Sequence, residues 1–234
     1  SYLPFAVLAF LLNAVSVTVD KFLLIRTFPN PLVYIFYISL FSLLALLLLP
    51  FTNTPTPLVF TLASASTLLW TVGAYLMFKT LKIGLISRVI PSIGTLTALL
   101  LLIYAFQTST ISLDETWAAG FLILGLIFLT FGQWRGKVAL EEIILEVLSA
   151  AFFAISYLIL RQAYLEADFL PVLVYSRFIL IPLGLLLLFT PNIKKQILPQ
   201  KQRLKISSSS LLFGFGQASG GISQLLLTFS ISLA

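Results

Sequence analysis

Two glutamines, Gln217 and Gln224, stand seven residues apart in the stretch GFGQASGGISQ, with Gly220 and Gly221 between them. On a helix this spacing puts both amides on one face, flanking a strip that lacks side chains. Such a notch suits hydrogen bonding to a small organic solute. The same strip, with Gly216 and Gly220 as a GxxxG pair, equally suits close packing against a second helix. Asn13, Trp70 and Tyr75 are further polar or aromatic groups inside apolar segments, readable as lining of a pathway for uncharged or zwitterionic solutes or as packing between helices. Arg177 offers a fixed positive charge to an anionic or carboxylate-bearing solute, or else returns to the headgroups by snorkelling. Asp20, beside Lys21 near a helix end, is the one acid singled out as a coupling group, with snorkelling again the alternative.

The inventory removes whole classes of chemistry. With no histidine and no cysteine, Cys/His zinc sites, thiol nucleophiles, disulfides and histidine-based triads are excluded. The acids Glu141, Glu142 and Glu146 form the only acidic cluster, and as they begin a helix, the macrodipole accounts for them without catalysis. No acid is expected near the centre of a span, which favours passive exchange or facilitated movement over proton-driven extrusion. An enzyme is therefore not expected.

The elements that must hold these groups are membrane helices. Of 234 residues, 59% are hydrophobic and only 9% charged, too few charges to cover a water-facing surface. The apolar excess runs along the whole chain in stretches of about 18 to 24 residues, each able as a helix to cross about 30 Å of hydrocarbon. The expected spans are near Leu3 to Ile25, Leu32 to Phe51, Leu58 to Phe78, Ile83 to Phe106, Trp117 to Trp134, Ile143 to Leu160, Pro171 to Phe189 and Leu211 to Leu233. Most prolines fall between spans; Pro91 lies inside the fourth and should kink or locally unwind it unless neighbours satisfy the freed carbonyl. The first span is too long for a signal peptide and ends in Asp20 and Lys21, so it reads as a retained helix.

A weak repeat with an offset of about 140 residues aligns VDKFLLIRTFPNPLVYIFYISLFSLLALLLL, around Lys21 and Pro31, with ILRQAYLEADFLPVLVYSRFILIPLGLLLLF, around Arg161 and Pro171. Corresponding helices are five spans apart, an odd number, so the second copy must be inverted in the membrane, which is a transporter signature. The alternative is that two Leu-rich hairpins align by composition. On the segments LKIGLISRVIPSIGTLTALLLLIYAF, WAAGFLILGLIFLTFG and YSRF, with Pro91, Gly120, Gly125 and Arg177, the chain resembles the EamA-like branch of the drug/metabolite transporter superfamily. That resemblance implies ten helices in two inverted units of five. The expected fold is thus an all-α integral membrane protein with about eight of those ten helices present, residues 1–135 forming the first repeat and 140–234 an inverted second repeat that ends after its third helix. Two further helices are expected after Ala234.

Basic residues sort by loop. Lys21, Arg26, Lys79, Lys82, Arg88, Arg135, Lys137, Lys194, Lys195, Lys201, Arg203 and Lys205 follow the first, third, fifth and seventh spans, which the positive-inside rule assigns to the cytoplasm, with Ser1 outside. The resemblance implies instead that both ends are cytoplasmic. A carrier of small organic metabolites in the plasma membrane is the expected function, its partners a small-molecule substrate and the lipid bilayer, with no nucleic acid, no cofactor and no metal. The competing expectations are a proton-coupled drug exporter, a non-transporting membrane partner and an enzyme acting on lipid.

Overall fold

The computed structural model describes residues 3–27, 30–108, 113–131, 139–197 and 208–232. Helix accounts for 93% of them, and no strand occurs among them. In chain order the helices are α1 (Leu3–Arg26), α2 (Pro31–Ser42), α3 (Pro57–Ile83), α4 (Ile86–Gln107), α5 (Leu113–Phe131), α6 (Leu140–Glu166), α7 (Phe169–Tyr175), α8 (Leu180–Phe189), α9 (Pro191–Ile197) and α10 (Ser208–Ser232). A 3-10 stretch, Leu43–Phe51, continues α2, and a second, Ser176–Ile179, joins α7 to α8.

Among the described residues, six segments are long and apolar enough to cross a membrane: Pro4–Arg26, Pro31–Phe51, Pro57–Ile83, Ile86–Gln107, Leu140–Glu166 and Phe169–Phe189. They coincide with six of the eight spans expected from the sequence. The other two expected spans correspond to α5 and α10, which lie outside this set of six. In α10 the cause is visible in its sequence, where the run from Ser208 to Gln224 is rich in Ser, Gly and Gln and lowers the hydropathy of an otherwise sufficient 25 residues. The outer surfaces are apolar. Phe10, Leu47, Phe128 and Phe189 are each more than 60% exposed, an arrangement that water would penalise and hydrocarbon accepts.

Local rules explain the boundaries. Asn30 caps α2, its side chain accepting from Leu32 N at 3.0 Å, and Pro31 occupies the first turn where its missing donor is not needed. Both 3-10 stretches lie at prolines inside the span. Pro50 cannot donate to the carbonyl of Leu46, nor Pro182 to that of Phe178, and the helix tightens on the N-terminal side of each. At Pro91 the chain does not unwind but stays α-helical; the proline lies five residues inside α4 and has no N–H to offer the Ser87 carbonyl.

The described chain divides into two compact units, one of residues 1–68 and 159–234, the other of residues 69–158. The repeats expected at 1–135 and 140–234 divide chain order, and each contributes to both units. In the first unit α1 packs lengthwise on α10. Val59 and Ala63 of α3 meet Leu160 and Ala163 of α6 and Val172 of α7 in one buried cluster; Val33, Ile193 and Ile197 form another. In the second unit α4 packs on α5, and small residues bring α3 and α6 together: Ser149 donates to the Gly73 carbonyl at 2.9 Å, and a Cβ on Gly73 would stand 3.1 Å from the Phe153 ring.

Candidate functional site

The seam between α1 and α10 carries a polar core. Ser16 donates to the Gly216 carbonyl at 3.0 Å, and Ser223 to the Ala9 carbonyl at 2.7 Å. The glycines permit this approach. A Cβ on Gly216 would lie 2.7 Å from Val19 Cγ1, and one on Gly220 would lie 2.6 Å from Ser16 Oγ. The notch expected at Gly220 is therefore occupied by α1. Gly221, by contrast, is exposed with no atom within 4 Å of its would-be Cβ, so the two adjacent glycines serve different sides of the helix.

Toward the Arg26 end of α1 in that seam, three polar groups from three helices converge. The Tyr34 hydroxyl of α2 donates to the Asp20 carboxylate of α1. Its oxygen keeps lone pairs, and the amide of Gln217 on α10 hydrogen-bonds it there. All three are buried, Asp20 to 5% and Gln217 to 7% exposure, with Tyr34 fully enclosed. Of the two readings of Asp20, coupling group or snorkelling from a helix end, the second does not fit the structure: the side chain is buried against Tyr34, six residues before Arg26 and about 9 Å inside the helix end at the α-helical rise. The Phe213 ring closes the group at 6.0 Å from Tyr34.

Arg177 sits in the 3-10 stretch between α7 and α8. It follows Ser176, which is buried and donates to the Leu173 carbonyl at 2.7 Å. The Nε of Arg177 and the hydroxyl of Tyr164 on α6 are both enclosed and without a hydrogen-bond partner, and the two groups lie within coulombic range of each other. The Nε of Arg177 is thus turned away from solvent, while the residue as a whole is half-buried. Thr228 of α10 lies beside Tyr164, with its own hydroxyl committed to the carbonyls of Gln224 and Leu225 at 2.8 and 3.1 Å. Gln224 is half-buried and Asn13 is exposed.

An open cavity of about 370 Å³ lies between α3 and the α7–α8 segment, lined by Phe60, Ser64, Leu68, Phe178 and Pro182 among others. Its walls are apolar apart from Thr61 and Ser64, and the Ser64 hydroxyl is enclosed without a partner. The pathway residues expected from the sequence do not line it.

The second unit holds its own polar groups. Trp70 packs on Phe153 at 5.9 Å and its indole N–H donates to the Tyr157 hydroxyl; Tyr75 is half-buried. The acidic start of α6 is not a solvated cluster matched only to the macrodipole, as expected from the sequence. Glu142 is buried in an ion pair with Arg88 of α4, and Glu146, one turn further in, is buried beside Ser92 with Oε1 unpartnered. Only Glu141 stays at the surface, 3.4 Å from Lys79. A turn that folds α4 back at Gly84 and Leu85 causes this: a Cβ on Gly84 would collide with the Glu142 carboxylate. Neither Asp20 nor Glu146 lies at the centre of a span, but both are buried carboxylates on membrane-length helices, Asp20 six residues before Arg26 and Glu146 six residues after Leu140. Among the described residues no group of acids is arranged to hold a metal ion.

The structure therefore joins Asp20 to Gln217 through Tyr34 and sets Arg177 and Thr228 near Tyr164; Gln224 enters only through its backbone carbonyl, which accepts from Thr228. Sequence reading missed Tyr34, Tyr164 and Ser16. Ser16 carried a signal, since a hydroxyl seven residues from Ala9 on α1 matches the spacing of Gly216 and Ser223 on α10; Tyr34 and Tyr164 stand in ordinary aromatic-rich stretches that carry none.

Compared with protein-family models, curated proteins and solved structures, the chain matches none. The class defined by fold and composition is a helical protein with, among the described residues, six segments suited to crossing a membrane. The EamA-like resemblance rests on its motif residues alone.

Proposed function

We propose that this chain is a multi-pass carrier of small organic metabolites in the plasma membrane, working by alternating access through exchange or facilitated export, in the manner of EamA-like transporters. The observation that carries this reading is the Asp20–Tyr34–Gln217 group, three buried polar side chains from three helices, two of which are apolar segments of membrane length. Polar groups at such positions are expensive, and they mark solute or ion routes where packing alone does not require them. Further support comes from the repeat. Two spans carry a proline in their first turn, Pro31 and Pro171, 140 residues apart, and each contains a 3-10 stretch. With α5 and α10 added to the six long apolar segments, the count reaches the eight of a ten-helix, 5+5 inverted design.

Counterflow in proteoliposomes tests the reading. A panel of amino acids, nucleosides and small organic acids is first scored for thermal stabilisation of the purified chain in detergent, since a ligand of the folded state raises its melting point. Those that stabilise should exchange across vesicles, and Gln217→Leu should reduce both effects. No exchange above protein-free vesicles by any stabilising solute removes the carrier reading in favour of a non-transporting membrane partner.

The buried carboxylates of Asp20 and Glu146 favour a second reading, proton-coupled export, over purely passive exchange. Under that reading Asp20→Asn or Glu146→Gln abolishes uptake driven by a pH gradient and leaves counterflow intact. Uptake unchanged in both variants returns the mechanism to exchange.

A further inference from the structure

We propose that Arg177, with Tyr164 beside it, forms a binding site for the carboxylate of a monoanionic organic molecule, and so defines the substrate class of the carrier proposed above, on which reading it rests. The argument starts from cost. Arg177 lies eight residues into the apolar segment Phe169–Phe189, about 12 Å from its start at the helical rise, well inside a hydrocarbon layer about 30 Å thick. A guanidinium at that depth ordinarily faces a carboxylate or a row of carbonyls. Among the described residues Arg177 has neither: it is in no ion pair, its Nε has no partner, and the acids closest along the chain, Glu166 and Asp168, are exposed.

A second orphan group shares the place. The Tyr164 hydroxyl is enclosed, makes no hydrogen bond of normal geometry, has Thr228 beside it and lies within coulombic range of the guanidinium. Arg177 Nε and this hydroxyl, two donors left open in one apolar region, specify an acceptor with negative charge, which a carboxylate satisfies with its two oxygens. One guanidinium balances one charge, which argues against a dianionic phosphate. The surroundings set the rest of the ligand. Phe169 stacks on Tyr164 at 6.0 Å and meets Phe229 edge-on at 5.6 Å, so the body of the molecule beyond its carboxylate is to be apolar or aromatic. The 3-10 stretch that carries Arg177 sets its direction. There the helix turns more tightly ahead of Pro182, and such mid-span stretches mark hinges.

The test uses the full chain purified in detergent at constant ionic strength, with benzoate and hexanoate as probes, benzamide and hexanamide as uncharged controls, and methyl phosphate as the competing anion. Benzoate and hexanoate should raise the melting temperature saturably and the amides should not. Arg177→Gln should weaken that binding about tenfold or more, the loss expected of one charge-assisted pair. Tyr164→Phe, a change that keeps the ring and its stacking, should weaken it several-fold with little change in the ligand-free melting temperature, and it decides the matter should Arg177→Gln fail to fold. Equal shifts with acids and amides, unaltered shifts in Tyr164→Phe and Arg177→Gln, or a response to methyl phosphate alone would overturn the site. Counterflow separates the two readings: binding without exchange removes the carrier and keeps the anion site, whereas exchange of neutral solutes without carboxylate binding does the reverse.

Discussion

The Tyr34 hydroxyl donates to the Asp20 carboxylate, fourteen residues back along the chain, and so ties α2 to α1 inside apolar segments of membrane length. A carboxylate enclosed in this way depends on its donor. Replacing Tyr34 by Phe leaves it buried and unpaired, at a cost of about 1–3 kcal/mol for an unsatisfied group and more if it stays charged. Tyr34→Phe should lower the melting temperature in detergent clearly, and adding Asp20→Asn to it should recover part of the loss. Strict additivity of the two changes would show that the pair does not interact.

The glycines of α10 divide sharply by position. Gly216→Ala and Gly220→Ala drive a methyl against Val19 and Ser16, at 2.7 and 2.6 Å, and should each destabilise by about 1–3 kcal/mol as overpacking does. Gly221→Ala meets open space and should be neutral, or stabilising by up to about 1 kcal/mol through helix propensity. Melting of the three variants side by side distinguishes a packed seam from an open notch at this place. Equal tolerance at all three positions contradicts the packed seam.

Two ion pairs join α6 to the α3–α4 region in very different surroundings. Lys79 and Glu141 are 46% and 65% exposed, Arg88 and Glu142 only 11% and 5%. Lys79→Gln should therefore cost at most about 1 kcal/mol and less in high salt. Arg88→Met leaves two buried carboxylates, Glu142 and Glu146, without their cation and should cost about 3–5 kcal/mol. The double variant Arg88→Met/Glu142→Gln should be markedly less harmed than Arg88→Met alone. A similar loss in both variants would refute the idea that the stranded charge is the damage.

The absence of cysteine makes orientation directly testable with single introduced thiols. Lys79→Cys and Lys195→Cys should react with a membrane-impermeant maleimide only in inverted vesicles, and Asn53→Cys only from the opposite face. The reverse pattern would place Ser1 and the α1–α10 seam the other way up and would contradict the reading of the basic loops.

How much was legible beforehand varies by element. Length, hydropathy and the positions of Pro31, Pro57 and Pro191 delimit the membrane helices, because a segment that crosses hydrocarbon must satisfy its backbone by itself and cannot hide many charges. Asn30 and Pro31 announce the start of α2 by local geometry alone. The glycines of α10 likewise mark a close approach, though not its partner. What side a polar residue faces was not legible: Asn13 and Gln217 look alike as isolated amides in apolar runs, yet one is exposed and the other buried against Tyr34.

The amino-acid order by itself determined that this is a helical chain suited to a bilayer, without thiol, imidazole or bound-metal chemistry built on them, since those properties depend on composition and on runs within single helices. Only the tertiary structure decided which polar groups meet. Asp20 with Tyr34 and Gln217, Arg88 with Glu142, and Arg177 with Tyr164 are pairings of residues up to two hundred positions apart. Helices of nearly uniform apolar surface give no sequence code for which face turns inward; the choice falls to where small residues allow backbones to approach and buried charges find an answer.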